Sequence, residues 1–259
     1  MITAGVDVGA RAVKVILLDG GQVLSRARSL TGFDQKIALQ EAYLDALKTA
    51  ETTNDLVQRV IATGVGKKAV PFAFKRVTEV AADARGAIHL FPNARTIIDV
   101  GAEEARAIKC DQTGAVADFA MNDKCAAGVG AFVEAMARAL DLGPEEMGKI
   151  SLLSDKTIPL NAQCVVFAES EVVTLMHGKT AKQDIAKAVH DAIASRVGTL
   201  VRTLGIEEQV VFIGGLARNV GLVDSLRKSL GVDLKVPDNP EFVGSLGAAL
   251  IALDELRGK

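Results

Sequence analysis

Short apolar segments separated by glycine-bearing turns open the chain. Residues 2–8 and 12–18 are largely apolar, and Gly9, Ala10 and Arg11 lie between them. Asp19-Gly20-Gly21-Gln22 then has the composition of a hairpin turn, and residues 22–30 follow as a third extended segment. The pattern predicts three consecutive strands in a β-meander.

Helical periodicity follows this meander. Apolar residues three and four positions apart predict a helix over residues 35–51. A short buried strand is predicted over 57–63, ending at Gly64, and a second helix over 79–89.

The same order of elements then returns. Residues 96–101 repeat residues 4–9 as an apolar strand followed by Asp-Val-Gly-Ala, and strands at 106–109 and 116–121 complete a second meander. The two Asp-Val-Gly-Ala turns begin at Asp7 and Asp99, about 92 residues apart. A chance match of four residues is the alternative, and the repeated strand–turn–strand context favours internal duplication.

The rest of the chain is predicted to be mainly helical. Predicted helices cover 130–140, 165–178, 183–204, 220–230 and 245–256, with strands at 209–213 and 233–236. Helices after sheets in both halves indicate an α/β protein of two lobes with a cleft between them. We expect the lobes to span 1–94 and 95–244, with a final helix at 245–257 packing back on the first lobe.

Composition and charge argue against several classes of protein. Of 259 residues, 49% are hydrophobic, and the formal net charge of −2 argues against a nucleic-acid-binding protein. No apolar run approaches the roughly 20 residues needed to cross a bilayer, and the N-terminal residues do not resemble a signal peptide. Three cysteines do not suggest a disulfide framework. We therefore expect a cytoplasmic protein that binds neither membranes nor nucleic acids.

Three strand ends carry glycines suited to phosphate binding. They are Asp7-Val8-Gly9-Ala10, Asp99-Val100-Gly101-Ala102 and Phe212-Ile213-Gly214-Gly215. Glycine lets the backbone approach a ligand, its turn offers N–H groups to phosphate, and a nearby Asp can hold Mg²⁺ through water. Neither a P-loop nor a Rossmann fingerprint is present.

This order of turns resembles the acetate kinase, sugar kinase, Hsp70 and actin superfamily, which implies ATP and Mg²⁺ as cofactors. The resemblance implies that Asp7 and Lys14 face the phosphates, and that Asp99 and Glu103 lie on the side of the metal and the attacking water. A solvated strand residue is the alternative for Lys14. The remaining cofactor-binding candidates are Gly9, Ala10, Arg11, Ala12, Gly101, Ala102, Gly214, Gly215, Asn219 and Glu241, of which Gly214, Gly215 and Asn219 would contact the nucleoside.

Two cysteines precede predicted helices. Cys125 and Cys164 both occupy such positions, where unpaired N–H groups and the helix dipole stabilise a thiolate. Two thiolates cannot complete a four-cysteine set, but a two-fold dimer doubles the number. One [4Fe–4S] cluster bound by both cysteines of two subunits is the economical arrangement; two buried structural cysteines are the alternative. Cys110 lies at a strand end and is expected to be structural.

Three motifs carry a more specific resemblance. Residues 122–128 (Asn-Asp-Lys-Cys-Ala-Ala-Gly), 166–172 and 244–250 resemble the ATPase activators of 2-hydroxyacyl-CoA dehydratases, including the ATPase subunits of benzoyl-CoA reductase. The resemblance covers residues 2 to 252. It implies a dimer with a bridging cluster, loaded by a ferredoxin or flavodoxin. We expect this cluster to be oxygen-sensitive because it would lie on an exposed dimer axis. ATP hydrolysis would swing the cluster helices and drive electrons to a CoA-ester-reducing partner.

Two turns depart from that family's pattern. The chain has Ala10 and Arg11 where Ser or Thr is usual, and Gly101-Ala102-Glu103-Glu104 where Gly-Gly-Gln-Asp is usual. Either the chemistry tolerates these changes in a homodimer, or a paralogous subunit supplies the more typical site in a heterodimer. A small-molecule kinase and a non-catalytic nucleotide-binding regulator are the alternative functions. His89, His177 and His190 are expected to be surface or packing residues.

Overall fold

Two sheets of five strands each organise the chain, which the computed structural model describes over residues 1–122, 130–160 and 164–258. The strands of the first sheet are β1 (Ile2–Val8), β2 (Ala12–Asp19), β3 (Gln22–Leu30), β4 (Val57–Thr63) and β5 (Lys75–Arg76). Their order is β3-β2-β1-β4-β5. The first three strands form the predicted antiparallel meander, and β4 and β5 run parallel to β1.

The second sheet repeats this topology. Its strands are β6 (Thr96–Val100), β7 (Ala105–Cys110), β8 (Val116–Asn122), β9 (Val210–Ile213) and β10 (Leu234–Lys235), in the order β8-β7-β6-β9-β10. As in the first sheet, the first two strands of the meander are antiparallel, and the fourth and fifth strands run parallel to the first. The shared order confirms the predicted duplication.

Eight helices of the described residues accompany the sheets. They are α1 (Gln35–Thr49), α2 (Glu79–Leu90), α3 (Gly130–Ala139), α4 (Pro144–Ser151), α5 (Val165–His177), α6 (Lys182–Leu204), α7 (Val220–Leu230) and α8 (Val243–Leu256). Only α4 lacks a counterpart among the predicted helices; its sequence signal is the proline at its first position. None of the helices in the described ranges is long and apolar enough to cross a membrane.

Backbone contacts divide the chain into two compact units. The first unit comprises Met1–Ala94, Cys110–Ala117 and Glu241–Lys259, and the second comprises Arg95–Lys109 and Asp118–Pro240. Each unit contains its own hydrophobic core. The first unit therefore draws on both ends of the chain.

Two layers of helices cover the first sheet. On one face, α1 places Leu39 and Tyr43 against Val6 and Val8. On the other, Leu246 and Leu250 of α8 pack with Ile16 and Leu18. The hydroxyl of Thr3 also donates a hydrogen bond to the carbonyl oxygen of Ala249, at 3.1 Å. Burial of each large apolar side chain contributes about 1.5–3 kcal/mol, so the helix at the end of the sequence is a main stabilising element of this sheet.

The second unit buries side chains of α3, α4, α6 and α7 together with those of β6 and β9. Phe132, Met136 and Phe212 are fully buried in this core. His190 on α6 is also fully buried, whereas His89 and His177 are exposed. The three histidines thus match the expected surface or packing roles.

Candidate functional site

The first Asp-Val-Gly turn is closed by backbone and side-chain hydrogen bonds. The N–H of Gly9 donates to the carbonyl oxygen of Ala12 at 3.1 Å, and the Thr31 hydroxyl donates to the carbonyl oxygen of Gly9 at 3.0 Å. Asp7 and Lys14 are opposite each other in the β1–β2 ladder, and Lys14 Nζ lies 2.9 Å from Asp7 Oδ2. Lys14 is thus an ion-paired side chain that is only 17% exposed, rather than a solvated one.

The second turn reproduces this geometry. The N–H of Gly101 donates to the carbonyl oxygen of Glu104 at 2.9 Å. Asp99 and Arg106 are opposite each other in the β6–β7 ladder, and Arg106 Nη1 donates to Asp99 Oδ2 at 2.7 Å. Arg106 Nη2 also donates to the carboxylate of Glu104. In the second turn Arg106 therefore joins two carboxylates, those of Asp99 and Glu104.

A glycine at the end of a parallel strand packs against each aspartate. Gly64 follows β4 with φ of 90°, and Gly214 follows β9 with φ of 88°. A Cβ atom on either would lie within 2.5 Å of the aspartate Oδ1 and of the carbonyl oxygen of the next residue. Only glycine can take this backbone conformation so close to another chain segment. Each aspartate therefore accepts a hydrogen bond from a cation at Oδ2, and a glycine packs closely against its Oδ1.

The tips of the two turns differ in charge. Ala10 and Ala102 are half-buried, whereas Arg11 and Glu103 are exposed at equivalent positions. Both Arg11 and Glu103 are positions at which the chain departs from the resembled family. The two tips therefore carry opposite charges. Ala12, at the end of the first turn, is buried.

The predicted nucleoside contacts lie in different settings. A Cβ atom on Gly215 would meet no heavy atom of the described residues within 4 Å, so its surroundings are open. Asn219 is buried; its Oδ1 accepts a hydrogen bond from the N–H of Leu222 at 3.0 Å and its Nδ2 donates to the carbonyl oxygen of Pro144 at 3.1 Å. Its side chain thus caps α7 and joins it to α4. Glu241 is buried in the first unit, in the 3₁₀ helix Pro240–Phe242 before α8.

Cys164 is the N-cap residue of α5. It is half-buried and extended, and its carbonyl oxygen accepts a hydrogen bond from the N–H of Ala168 at 3.0 Å. A partly accessible thiol at a helix start fits the donor type and polarity that an iron–sulfur cluster requires. Cys125, its predicted partner, lies outside the described residues. The described residues contain no group of three or more His, Cys, Asp or Glu side chains placed to hold a metal ion.

Cys110 differs from Cys164 in its surroundings. Its side chain is 4% exposed, and its thiol donates to the carbonyl oxygen of Ala94 at 3.8 Å. These contacts are those of a structural cysteine, as the sequence predicts.

Several residues of these turns were not among the sequence-based candidates. Arg106 and Gly64 are two of them. The seven-residue spacing from an aspartate to a basic residue, which both turns share, is a usable signal for Arg106. Asp83 of α2 is a third: it is 5% exposed and its Oδ1 lies 3.0 Å from the Cβ position of Gly244, where Asp7 Oδ2 lies at 3.8 Å. Its signal is one acidic residue within an alanine-rich stretch. The first unit therefore places a second carboxylate near that of Asp7.

Comparison with characterised proteins gives relatives that match along their full length. The activator of lactoyl-CoA dehydratase from Anaerotignum propionicum is 37% identical over 100% of both chains. The 2-hydroxyisocaproyl-CoA dehydratase activator from Clostridioides difficile is 36% identical, over 99% of this chain and 97% of the relative. One of the subunits of benzoyl-CoA reductase from Thauera aromatica is 33% identical, over 96% of this chain and 92% of the relative.

Comparison with solved structures also gives proteins of 2-hydroxyacyl-CoA dehydratase systems as similar chains. The activator of 2-hydroxyisocaproyl-CoA dehydratase from Clostridium difficile with bound ADPNP has a TM-score of 0.94 at 34% identity, covering 100% of this chain and 96% of that one. Component A of the (R)-2-hydroxyglutaryl-CoA dehydratase from Acidaminococcus fermentans has a TM-score of 0.96 at 33% identity, covering 99% of each chain. A ROK hexokinase from Thermus thermophilus covers both chains completely but has a TM-score of 0.54 at 16% identity, which shows a shared fold alone.

Family membership follows from these similarities. The family model of the BadF/BadG/BcrA/BcrD ATPases matches residues 4–252. The match spans both Asp-Val-Gly turns, Cys164 and most of α8. The chain therefore belongs to the BadF/BadG/BcrA/BcrD ATPase family.

Proposed function

We propose that this chain hydrolyses ATP to drive low-potential electrons into a partner enzyme that acts on CoA esters. The partner would be a 2-hydroxyacyl-CoA dehydratase or a benzoyl-CoA reductase core, the systems for which the full-length relatives are named. The observation that carries the proposal is the pair of Asp-Val-Gly turns with matching geometry in a chain of an ATPase family. The kinase alternative has only fold-level support.

The first turn is our candidate for phosphate binding. Its backbone at Ala10 and Arg11 would offer N–H groups to phosphate oxygens, and Lys14 would add positive charge. The ion pair of Lys14 with Asp7 at 2.9 Å holds both side chains in one orientation before nucleotide arrives. Such preorganisation lowers the reorganisation that the reaction requires.

The second turn is our candidate for the metal and the attacking water. Asp99 would hold Mg²⁺ through water, since this ion keeps much of its hydration shell. Gly101 and Ala102 would provide backbone contacts, and the exposed Glu103 would orient the water. Arg106 fixes the carboxylate of Asp99 by its bond of 2.7 Å, so the second turn is also preorganised.

We propose that the nucleoside binds beside Gly214, Gly215 and Asn219 of the second unit. The open surroundings of Gly215 leave room for a base or ribose. Because the side chain of Asn219 caps α7, its contribution would be to hold the Gly214–Gly215 segment in place.

Cys125 and Cys164 of two subunits would together bind one [4Fe–4S] cluster. When bound, such a cluster carries one electron at a time, at a potential set by its surroundings. The start of α5 would stabilise the Cys164 thiolate through its unpaired N–H groups. A reduced ferredoxin or flavodoxin would supply each electron, and the CoA-ester substrate of the partner would accept it. Both described cysteines are outside disulfides, which suits the reducing cytoplasm.

Helix α5 exposes apolar side chains that a second subunit would cover. On α5, Val166 is 65% exposed and Phe167 is 64% exposed, whereas Ala168 and Val172 are the buried side chains of this helix. Contiguous exposed apolar side chains are typical of an interface. We assign this face of α5 to dimerisation with a second copy or with a paralogous subunit.

Iron analysis tests the cluster assignment. Anaerobic purification followed by iron and sulfide analysis, and an EPR spectrum after dithionite reduction, should give about four irons per dimer. Cys125→Ala and Cys164→Ala should lose this iron, and the control Cys110→Ala should retain it because Cys110 is a buried residue whose thiol donates to the carbonyl oxygen of Ala94. Wild-type protein that stays iron-free after reconstitution would overturn the assignment.

Phosphate release tests the ATPase assignment. Asp7→Asn and Asp99→Asn should each lower the rate of MgATP hydrolysis by about 100-fold, since Asp7 orients Lys14 and Asp99 would hold the metal that stabilises the transition state. ATP consumption that appears only with an added hydroxyl substrate would instead identify a kinase. Analytical ultracentrifugation of the purified chain distinguishes a homodimer from a subunit that requires a paralogue.

A further inference from the structure

Arg28 belongs to a row of charged side chains that crosses the first sheet beside the candidate phosphate turn. Asp7 of β1 is opposite Lys14 of β2, and Lys14 is opposite Arg28 of β3. Residues directly opposite each other in antiparallel strands share one face of the sheet, with Cβ atoms about 4.5–5.5 Å apart. The side chain of Arg28 therefore stands next to that of Lys14, on the face that carries Asp7.

The end of β3 is fastened to the phosphate turn by Thr31. The N–H of Thr31 donates to the carbonyl oxygen of Arg11 at 2.9 Å, and its hydroxyl donates to that of Gly9 at 3.0 Å. Thr31 is buried, so water does not compete for these bonds. Because Arg28 lies three residues before Thr31 in the sequence, its backbone has a fixed position relative to the turn.

The two cations of this row differ in their partners. Lys14 Nζ lies 2.9 Å from Asp7 Oδ2. Arg28 is exposed, and its guanidinium makes no ion pair or hydrogen bond with another of the described residues. Like charges directly opposite each other in a sheet repel and lower its stability. An anion bound against both side chains would remove this repulsion.

Arg26 gives an internal comparison on the same strand. Alternate residues of a strand share one face, so Arg26 and Arg28 point the same way, and both are exposed. Arg26 is opposite Ile16, which packs with apolar residues of α8, and so has no cation across the ladder. Charged residues on an edge strand such as β3 hinder pairing with other chains, a role that both arginines can fill. A like charge in the opposite position distinguishes Arg28 from Arg26.

We infer that Arg28 binds the phosphate chain of ATP together with Lys14. This inference rests on the proposed function, which assigns phosphate binding to the first turn. Residues 9–12 are Gly, Ala, Arg and Ala, so the turn has no hydroxyl group to offer. The guanidinium of Arg28 holds its N–H groups in a rigid fork that matches phosphate oxygens and donates charge-assisted hydrogen bonds to them.

Binding measurements on Arg28→Gln and Arg26→Gln test the inference. Isothermal titration calorimetry of the anaerobically purified protein uses Mg²⁺ with a non-hydrolysable ATP analogue, and adenosine as the probe that lacks phosphate. Arg28→Gln should raise the Kd for the analogue about tenfold and leave the Kd for adenosine unchanged, since the contact is to phosphate. Arg26→Gln, the matched control, should stay within about twofold of wild type for both probes.

Several outcomes would overturn the inference and leave the proposed function intact. One is an equal loss of affinity in the two arginine variants, which would indicate a general effect of charge on β3. Another is an equal loss for the analogue and for adenosine in Arg28→Gln, and a third is wild-type affinity for the analogue in that variant. A wild-type protein that does not bind the analogue would overturn the proposed function and the inference together.

Urea unfolding without nucleotide gives an independent readout. Arg28→Gln should have a higher urea midpoint than wild type, because the variant lacks the repulsion with Lys14. Arg26→Gln should leave the midpoint unchanged, because its neighbour across the ladder is Ile16. A lower midpoint in Arg28→Gln would show that Arg28 stabilises the sheet through contacts within the protein, and would overturn the inference.

Arg28→Glu covers the case in which Arg28→Gln does not fold. Its carboxylate would be opposite Lys14, and opposite charges in this position stabilise a sheet, so we expect a folded protein. The variant should nevertheless raise the Kd for the ATP analogue by about 50-fold, because it places a negative charge where phosphate binds. Arg26→Glu is its control. A Kd for the analogue that rises equally in Arg28→Glu and Arg26→Glu would overturn the inference.

Discussion

Lys14 and Arg106 occupy equivalent positions in the two units, each opposite the aspartate seven residues before it across a hairpin. Each donates a hydrogen bond to Oδ2 of that aspartate, at 2.9 Å for Lys14 and 2.7 Å for Arg106. The guanidinium of Arg106 has further N–H groups and also donates to the carboxylate of Glu104. Both copies of the duplicated frame have thus kept the charge pair.

Replacing Arg106 should destabilise the second unit. Arg106→Gln leaves Asp99 and Glu104 without their cation at a site where the arginine side chain is only 10% exposed. Breaking such a pair costs about 3 kcal/mol, and Arg106→Lys, which can keep one of the two bonds, should cost about 1 kcal/mol. Urea unfolding followed by circular dichroism measures both losses.

Lys228→Gln is the control for this prediction. Lys228 is 66% exposed in its pair with Asp224, and solvent-exposed pairs contribute little to stability. An equal loss of stability in Arg106→Gln and Lys228→Gln would show that the buried pair has no special role.

Replacing Glu103 should strengthen nucleotide binding. The exposed carboxylate at the tip of the second turn would repel the γ-phosphate, by about 1 kcal/mol for two charges at 4 Å in water. Glu103→Gln should therefore lower the KM for MgATP by about fivefold. Glu104→Gln is the matched comparison: it removes the same charge but also a partner of Arg106, so we expect it to lower stability. A KM raised by Glu103→Gln would contradict this repulsion, whereas a lower kcat is the effect expected from its proposed role in orienting the water.

Substitution by alanine should lower the free energy of unfolding at Gly214 but leave it nearly unchanged at the neighbouring Gly215. Gly214→Ala places a Cβ within 2.5 Å of the carbonyl oxygen of Val100, at a φ of 88°, and should cost at least about 2 kcal/mol. Gly215→Ala meets no described atom within 4 Å and should change stability by less than about 0.5 kcal/mol. Thermal and urea unfolding of the two variants checks this. A raised KM for ATP in Gly215→Ala, with stability unchanged, would support its place in the nucleoside site.

His190 should make stability depend on pH. Burial lowers the pKa of His190 from 6.5 to about 4, and its two ring nitrogens have no hydrogen-bond partner among the described residues. The unfolded chain therefore takes up a proton on this residue below pH 6.5, whereas the folded chain does so only near pH 4. The free energy of unfolding therefore falls as the pH drops from 6.5 towards 4. The contribution of His190 to this fall is roughly 3 kcal/mol at most.

Urea unfolding of wild type and His190→Gln between pH 7 and pH 4 measures this loss. The variant, which has no titrating group at this position, should show a shallower fall in the free energy of unfolding. Parallel curves for the two proteins would contradict a neutral buried His190.

Much of the fold could be predicted because its signals are local. Turn residues such as Gly20 and Gly21 mark the hairpin, and helical spacing marks α6. The repeat of Asp-Val-Gly-Ala revealed the duplication, which the strand order of the two sheets confirms. The short helix α4 was missed because it spans little more than two turns with few apolar positions.

The pairing of side chains within the site could not be predicted in the same way. Asn219 was expected to contact the nucleoside, but nothing in its local sequence tells that its amide reaches the carbonyl oxygen of Pro144 on α4. The bond of Arg106 to both Asp99 and Glu104 depends on the register of β6 and β7, and the burial of Asp83 depends on α8 from the other end of the sequence. Such contacts arise from tertiary packing, which a sequence pattern does not encode residue by residue.

The position of α8 has a consequence for synthesis on the ribosome. Ile16, Leu18 and Ile61 in the first sheet pack against residues of α8, which are translated only after the whole second unit. Until then that sheet face has no cover from this helix, and exposed strands of this kind are prone to aggregate or to bind chaperones. The second unit can therefore acquire its native structure first, and the earliest residues of the chain complete theirs last.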